Sequence, residues 1–241
     1  MSVVVRAPAK INLQLSVGPL RDDGYHELVS VFHAVSLVDV VTAQRGEGVQ
    51  VSMSGEGSES LATDDSNLVV QAIHALAQHA QIDPHVSIHV EKSIPVAGGL
   101  AGGSADAAGT LVACDALWGT GLSREELADI GTRLGSDVPF ALFGANAIGR
   151  GRGEEIMPVL GQGQFHWVFA LADEGLSTPA VYRQCDTLRE GEQIRPPGVS
   201  AALLHALRQG DANALAAALH NDLQPAAISL RPSLRSLLEA G

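Results

Sequence analysis

The chain has 241 residues, of which 46% are hydrophobic and 17% are charged, and its formal net charge is −12. This composition is typical of a folded globular protein with one large or two small domains, and it excludes an acidic disordered chain. It also argues against nucleic acid as a partner, because a phosphate-binding surface needs clustered lysine and arginine. No apolar run approaches the roughly 18 residues that a membrane-spanning helix needs, so we expect no membrane partner.

The N-terminal part of the chain predicts a β-strand. Residues 11–17 alternate strictly between apolar and polar side chains, as a half-buried strand does. Only two of the 15 basic residues are lysines, and Lys10 stands at the entry to this strand, with Asn12 two residues further on. Lys10 either has a catalytic role, in which it neutralises a transferring phosphoryl group or holds a carboxylate near a hydroxyl, or it protects a strand edge. Its position alone favours neither alternative.

The next feature is a turn at residues 22–27. The pair Asp23-Gly24 is typical of a β-hairpin. Tyr25 and His26 follow it side by side, in a chain with only two tyrosines and 4% aromatic residues. Because aromatic rings stack on nucleobases, the two residues are candidates for binding a base.

Two further alternating segments, residues 49–53 and 86–90, predict strands. Between them, apolar residues at helical spacing over residues 69–80 predict a helix that Ser66 caps. Strands and helices follow one another without a regular alternation, which favours an α+β fold over a doubly wound sheet.

The strongest local feature is a glycine-rich segment, residues 95–104, between a predicted strand and a predicted helix over residues 105–117. Its glycines allow the backbone to approach a ligand closely, and a helix N-terminus attracts anions. We therefore predict a phosphate-binding loop in preference to a glycine-rich packing turn. The segment matches neither the Walker A motif nor the dinucleotide-binding G-x-G-x-x-G. The predicted loop consists of Pro95, Val96, Ala97, Gly98, Gly99, Leu100, Ala101, Gly102, Gly103 and Ser104.

A second candidate for chemistry follows a helix that the capping box of Ser123 and Glu126 predicts, and that we extend to Leu134. Asp137 lies just beyond this helix among apolar residues, and we expect Val138-Pro139 to keep the backbone extended. A carboxylate here is a candidate for the base that phosphoryl transfer needs. Taken by itself, the position favours a turn or helix cap, which aspartate forms most often after Gly-Ser.

The segment GRGRG at residues 149–153 interrupts the pattern, and we place a domain boundary after residue 154. It either forms a hinge or contacts phosphates through Arg150 and Arg152. Beyond it the pattern predicts a strand over residues 167–171, a helix starting at Thr178, and helices over residues 201–207 and 212–219. Cys114 and Cys185 have no motif spacing, so we expect buried free thiols and a cytoplasmic location.

Four motifs occur in order: PAKINL at residues 8–13, DGYHEL at residues 23–28, the glycine-rich segment, and LGSDVP at residues 134–139. Together they resemble the galactokinase, homoserine kinase, mevalonate kinase and phosphomevalonate kinase (GHMP kinase) superfamily over residues 3–185. The first two motifs are similar to those of members that act on a diphosphocytidyl-methylerythritol. The resemblance implies ATP-dependent phosphorylation of the 2-hydroxyl of that substrate, for isoprenoid biosynthesis without mevalonate.

The resemblance also implies a fold. Residues 1–154 would form a domain like the second domain of ribosomal protein S5, with a left-handed βαβ crossover. Residues 155–241 would form a ferredoxin-like α+β domain on the substrate side. The superfamily's third motif, a G-S-G-P-type glycine loop, does not occur in the 241 residues, so we expect this second domain to be incomplete in the chain.

The resemblance further implies roles for single residues. Asp137 would act as the base, and Lys10 would pair with it and stabilise developing charge. The glycine-rich loop would wrap the phosphates of ATP, accompanied by Mg²⁺, with Asn67 and Lys92 as weaker candidates on the nucleotide side. Tyr25, His26 and Tyr182 would hold the cytosine, and the remaining substrate contacts would be Asn12, Phe32 and Thr178. We single out no residue as a metal ligand.

Two alternatives stay open at this point: a non-catalytic nucleotide-binding module, and another small-molecule kinase of the superfamily. The second alternative does not account for the neighbouring Tyr25 and His26. For the assembly we expect a monomer or a weak homodimer.

Overall fold

Two long strands, β1 (Ser2–Leu20) and β2 (His26–Gln44), begin the chain. The predicted strand over residues 11–17 is confirmed as part of β1. The predicted hairpin turn is confirmed as well: Gly24 has a φ of 79°, and the Arg21 N–H donates to the Tyr25 carbonyl at 2.8 Å. The structure is a computed structural model that describes residues 1–172 and 175–240.

The remaining strands are β3 (Val49–Gly55), β4 (Val86–Lys92), β5 (Asn146–Arg150), β6 (Glu155–Pro158) and β7 (His220–Asn221). The helices are α1 (Leu68–Ala80), α2 (Gly102–Trp118), α3 (Arg124–Thr132), α4 (Val138–Phe143), α5 (Thr178–Leu188), α6 (Ala201–Gln209), α7 (Ala212–Ala218), α8 (Gln224–Leu230) and α9 (Leu234–Ala240). None of the helices in the described ranges combines the length and the apolar character that crossing a bilayer requires.

The chain divides into two compact units. Unit 1 comprises residues 1–11 and 33–145, and unit 2 comprises residues 12–32 and 146–241. The chain thus passes from one unit to the other within β1 and within β2. Each unit therefore consists of two separate segments of the chain. The predicted boundary after residue 154 refers to continuous domains and stays a prediction, and its last residue, 241, lies outside the described residues.

In unit 1 the strands follow the order β3-β4-β2-β1. β3 and β4 pair in parallel, with Val49 opposite Val86, and α1 connects them. This is the expected βαβ crossover; its left-handedness stays a prediction. β2 pairs antiparallel with β4, with Val40 opposite Glu91.

Helix α2 is buried over most of its length and packs against the sheet of unit 1. Ala107, Leu111 and Cys114 belong to one core cluster with side chains of β2, β4, α1, α3 and α4. Gly109 allows this close approach, because a Cβ at this position would lie only 2.9 Å from Val41 Cγ2. The loop that precedes α2 is therefore attached to a rigid core.

In unit 2, β7 pairs in parallel with β1 at Gln14 and Leu15. β5 pairs with β2, and β6 pairs antiparallel with β5. The GRGRG segment thus lies at a β-hairpin, with Gly151 at a φ of 68° and the Gly153 N–H donating to the Arg150 carbonyl.

Three local predictions are wrong. The cap of α1 is Asn67, whose side chain accepts the Val69 N–H at 2.8 Å, while the Ser66 hydroxyl donates to Asp64 instead. Val138-Pro139 is not extended: it opens α4, because proline fits the first turn of a helix, where its missing N–H is not needed.

The third error is the strand predicted at residues 167–171, which has no regular secondary structure. A strand needs a paired neighbour, and none of the described strands pairs with this segment. Val168 is 98% exposed, so its apolar side chain does not pack against a sheet. The predicted helices over residues 105–117, from Thr178, over residues 201–207 and over residues 212–219 are confirmed as α2, α5, α6 and α7, each to within one or a few residues.

Candidate active site

The glycine-rich loop, residues 95–104, connects β4 to α2 as predicted. Residues 96–99 are exposed, whereas Leu100 is buried with the side chains of Ile94 and Ala105. The backbone is left-handed at three alternating positions: Ala97 (φ 58°), Gly99 (φ 72°) and Ala101 (φ 57°). Left-handed residues in a turn let successive N–H groups face one side, which is the geometry of anion-binding concavities.

The N-terminus of α2 adds to this concavity. Ala101 occupies the N-cap position without a side-chain cap, and the first turn holds no acidic residue. The first helical hydrogen bond runs from the Ala105 N–H to the Ala101 carbonyl at 2.9 Å. The N–H groups of Gly102, Gly103 and Ser104 precede it, so the helix cannot use them, and the helix dipole places partial positive charge there.

Lys10 and Asp137 come together beside this loop. The backbone N–H of Lys10 donates to the Leu100 carbonyl at 3.1 Å. Its Nζ lies 3.5 Å from Asp137 Oδ2, with side chains 12% and 30% exposed. Asp137 stands at the N-cap position of α4 but makes no capping hydrogen bond. Asp137 therefore occupies the cap position, but its carboxylate does not form the capping hydrogen bond that the position alone favoured.

Ser104 connects the loop to the turn that carries Asp137. A Cβ built on Gly135 would lie 3.8 Å from Ser104 Oγ. Unit 1 thus brings three groups side by side: the amide-lined loop, an ammonium and a carboxylate. This combination can bind an anion and accept a proton next to it.

Asn67 and Lys92, the weaker candidates on the nucleotide side, have protein partners in unit 1. Asn67 caps α1 and also donates from Nδ2 to the Ala62 carbonyl at 2.6 Å. The start of α1 is close to the loop, since a Cβ on Gly103 would lie 3.7 Å from Leu68 Cδ1. A contact of Asn67 with nucleotide stays a prediction.

Lys92 forms a buried ion triad that the sequence analysis missed. Its Nζ lies 2.5 Å from Asp39 Oδ2 and 2.5 Å from Asp106 Oδ2, and all three side chains are at most 3% exposed. Burial raises the pKa of Asp106 to about 7, and the Lys92 ammonium opposes this increase only in part. Asp106 Oδ1 is buried without a hydrogen-bond partner among the described residues, which adds to the cost of its charge.

One sequence signal for this triad was available. In β4, the buried side chains are those of Val86, Ile88, Val90 and Lys92. Lys92 therefore continues the period of the apolar face and points into the core. A lysine in such a position needs buried carboxylates as partners.

The predicted base-binding rings belong to unit 2. His26 and Tyr182 stack on each other, with ring centroids 5.4 Å apart and planes 22° from parallel. His26 is 8% exposed, and its Nε2 lies 2.8 Å from Asp186 Oδ1. The sequence analysis missed Asp186, although it lies four residues after Tyr182 on α5 and therefore on the same helix face.

Tyr25 is 52% exposed, and its ring is covered on one face by the Arg152 guanidinium, 4.5 Å from the ring centroid. This cation–π contact connects the β5–β6 hairpin to the turn that carries Tyr25, while a contact of Arg150 and Arg152 with phosphates stays a prediction. The structure thus brings His26 and Tyr182 into contact and leaves Tyr25 accessible beside the turn.

The other three predicted substrate contacts also lie in unit 2. Asn12 Nδ2 donates to Ser30 Oγ at 2.6 Å. Phe32 is 2% exposed and packs next to Gly153 of the β5–β6 hairpin. Thr178 is the first residue of α5. Their contacts with a substrate stay predictions.

Comparison with known proteins identifies the family of this arrangement. The family profile described as "GHMP kinases N terminal domain" matches residues 67–145, which include the loop and Asp137. The chain is 60% identical, over 98% of its length and 76% of the relative, to 4-diphosphocytidyl-2-C-methyl-D-erythritol kinase of Salinispora arenicola. Identity to the protein of the same name from Streptomyces avermitilis is 56%, over the whole chain and 81% of the relative.

Comparison with solved structures points to the same family. A crystal structure of 4-(cytidine 5'-diphospho)-2C-methyl-D-erythritol kinase matches 98% of the chain and 81% of its own length, with a TM-score of 0.75 and 31% identity. Homoserine kinase from Cytophaga hutchinsonii matches with a TM-score of 0.67 at 17% identity, which shows a shared fold only. The predicted α+β GHMP kinase fold is thereby confirmed. With this fold and this degree of identity, the chain belongs to the 4-diphosphocytidyl-2-C-methyl-D-erythritol kinase family of the GHMP kinases.

Proposed function

We propose that the chain transfers the γ-phosphoryl group of ATP to the 2-hydroxyl of 4-diphosphocytidyl-2-C-methyl-D-erythritol. The observation that carries this proposal is the Lys10–Asp137 pair, 3.5 Å apart beside the glycine-rich loop. The name shared by relatives at up to 60% identity supports the choice of substrate.

The loop binds the triphosphate through backbone groups. The first-turn N–H groups of α2 and the left-handed turn before them offer several donors to phosphate oxygens. No acidic side chain in the first helical turn competes with the phosphates. This binding orients the γ-phosphorus, and orientation is a major part of catalysis in phosphoryl transfer.

Asp137 accepts the proton of the substrate hydroxyl as its oxygen attacks the γ-phosphorus. A new bond forms between this oxygen and phosphorus, the bond from phosphorus to the β–γ bridging oxygen breaks, and ADP leaves. A positioned base contributes roughly 10²–10⁴-fold to such a reaction. Because Asp137 makes no helix-capping bond, its carboxylate is available for this role.

Lys10 has two effects in this scheme. Its ammonium orients the Asp137 carboxylate, and it stabilises the negative charge that develops on the transferring group. The hydrogen bond between the Lys10 N–H and Leu100 fixes the lysine relative to the loop. A lysine suits this place because its ammonium is a compact point charge.

We include Mg²⁺ in the proposal as a companion of ATP. No three His, Cys, Asp or Glu side chains gather as a metal site in the described residues. Mg²⁺ with ATP usually binds through substrate phosphates, waters and one or two protein oxygens. The Ser104 hydroxyl, close to Gly135, is an oxygen that fits this coordination. When bound, the ion would neutralise charge on the phosphates.

The rings of unit 2 bind the cytosine in this proposal. Tyr25 has an accessible ring, and the His26–Tyr182 stack is fixed by Asp186. Aromatic faces bind a base by stacking, at roughly 1–3 kcal/mol per base. A cytidyl group therefore suits these residues better than the smaller, base-free substrates of related kinases.

We further propose that the enzyme is cytoplasmic and forms a monomer or weak homodimer. Two buried free thiols, Cys114 and Cys185, support a reducing compartment. Fractionation of cells and analytical ultracentrifugation test these two points.

The function is tested by measuring ADP formation with the cytidyl substrate, mevalonate and homoserine. We expect turnover with the first and at least about 100-fold lower kcat/KM with the others, since groups that recognise a base are then left unpaired. Equal turnover on all three would contradict the substrate assignment. ATP binding without turnover of any of them would favour a non-catalytic nucleotide-binding module.

A further inference from the structure

The buried triad of Asp39, Lys92 and Asp106 is used by none of the steps described above. Its three ionisable groups lie in the interior of unit 1, with side-chain exposures of 0%, 2% and 3%. Burying charge is costly even when the charges pair, and an apolar set of similar size often stabilises a core equally well. The triad therefore calls for a function other than stability.

The triad lies next to the start of the glycine-rich loop. Asp39 Oδ1 accepts the backbone N–H of Ser93 at 2.6 Å and that of Ile94 at 2.8 Å. These are the two residues between the end of β4 and the start of the loop. Because Asp39 is itself paired with Lys92, the last residue of β4, the chain is fixed where it leaves the strand.

The same lysine reaches the exit of the loop. Asp106 lies in α2, four residues after Gly102, and binds Lys92 Nζ at 2.5 Å. Gly102 opens the helix directly above the lysine, since a Cβ there would lie 3.4 Å from Lys92 Nζ and 3.1 Å from Ile94 Cγ2. One ammonium thus connects the segment before the loop with the helix after it.

The loop needs such support. Ala97 and Ala101 are held in the left-handed region, at φ values of 58° and 57°. Residues other than glycine persist in this region only when their surroundings determine the conformation. Residues 96–99 are exposed, whereas Ile94 before them and Leu100 after them are buried, so the two ends of the loop are its anchored parts.

We infer that Asp39, Lys92 and Asp106 are positioning residues, which fix both ends of the loop so that its amide groups face the phosphates of ATP. The inference rests on the proposed function in that it takes ATP as the ligand of the loop. Lys92 then acts through the loop, without touching the nucleotide.

The test is Asp39→Asn, which places an amide N–H₂ against either the Lys92 ammonium or the backbone N–H groups. The control is Ile88→Val, a buried change on β4, the strand that pairs with β2 and leads into the loop, and it leaves the loop ends intact. We expect Asp39→Asn to raise the Kd for ATP, measured by calorimetry, by at least about tenfold, since small misplacements of binding groups have large effects. The KM for the second substrate should stay within about twofold, because unit 2 is unchanged. An unchanged Kd for ATP in the folded variant would overturn the inference.

Two measurements keep the test decisive if Asp39→Asn fails to fold. Asp106→Asn keeps the shape of the side chain and should raise the Kd for ATP by a smaller factor than Asp39→Asn does. An unchanged Kd for ATP in this variant would count against the positioning role of the triad. In the unaltered protein without ATP, the amides of Ser93 and Ile94 should exchange with deuterium as slowly as those of β4. Rapid exchange there would show that the loop entry is not fixed, and would overturn the inference.

These outcomes are separable from those of the proposed function. Binding of ATP and amide exchange do not require turnover, so the positioning role can be confirmed in a protein that phosphorylates nothing. Conversely, turnover of the cytidyl substrate with unchanged ATP binding in the variants would leave the function intact and reject the positioning role.

Discussion

Replacing Asp106 with asparagine should remove a specific pH dependence from the stability of this protein. The pKa of Asp106 is about 7 in the folded chain, because burial penalises its charge, against an ordinary value of 3.8. Between these two values the folded protein keeps a proton that the unfolded chain has released. The free energy of unfolding therefore falls as the pH rises from about 4 to about 7.

The size of this effect follows from the two values. At about 1.4 kcal/mol per pH unit, the interval corresponds to a loss of about 4 kcal/mol between pH 4 and pH 8. Asparagine has nearly the shape of the protonated carboxyl but cannot ionise. The difference in stability between the unaltered protein and Asp106→Asn should therefore shift by about this amount, in favour of the variant at high pH.

The assay is urea unfolding of both proteins at about pH 4.5, 6, 7 and 8, which gives the free energy of unfolding at each pH. Asp64→Asn is the control with the opposite sign, because hydrogen bonds from Ser66 hold the pKa of this exposed carboxyl below its usual value. Removal of the Asp64 carboxylate should reduce the free energy of unfolding slightly at neutral pH, and should leave it unchanged at low pH, where the carboxyl is protonated. Parallel pH profiles for the unaltered protein and Asp106→Asn would show that Asp106 does not hold a proton in the folded state at pH values where the unfolded chain has lost it.

Two further predictions concern packing and substrate binding. Gly109→Ala should lower the free energy of unfolding by about 1–3 kcal/mol in urea titrations, because the new methyl group would meet Val41 at 2.9 Å. Gly198→Ala, which has open space around it, is the control and should change stability by less than about 1 kcal/mol; equal effects of the two would contradict the packing argument. Tyr25→Ala should raise the KM for the cytidyl substrate more than it lowers kcat in steady-state assays, and equal damage with a substrate that lacks cytosine would exclude stacking.

Much of unit 1 could be predicted from local patterns. Alternation located β1, β3 and β4, and the capping box of Ser123 and Glu126 located α3, where both of its hydrogen bonds form. The glycine-rich loop was predictable because its glycines lie directly between a strand and a helix. These features depend on neighbours in sequence, which is why a single chain is enough to recognise them.

Features that depend on distant partners were harder to predict. The 167–171 segment has the composition of a strand, but pairing with another strand decides whether a strand forms. Asp39 and Asp106 are 53 and 14 residues away from Lys92, and nothing in their local sequence indicates that they share a proton donor. The approach of Lys10 to Asp137 was expected only from the resemblance to GHMP kinases, because 127 residues separate the two in the chain.

In the proposed reaction, Asp137 takes the proton of the hydroxyl that attacks ATP. The most direct measurement is the single-turnover rate of ADP formation with saturating cytidyl substrate, in the unaltered enzyme, in Asp137→Asn, and in Asp129→Asn as an exposed control on α3. We expect a rate at least about 10²-fold lower in Asp137→Asn, with ATP affinity within about threefold and normal activity in the control. A rate in Asp137→Asn equal to that of the unaltered enzyme would exclude Asp137 as the base.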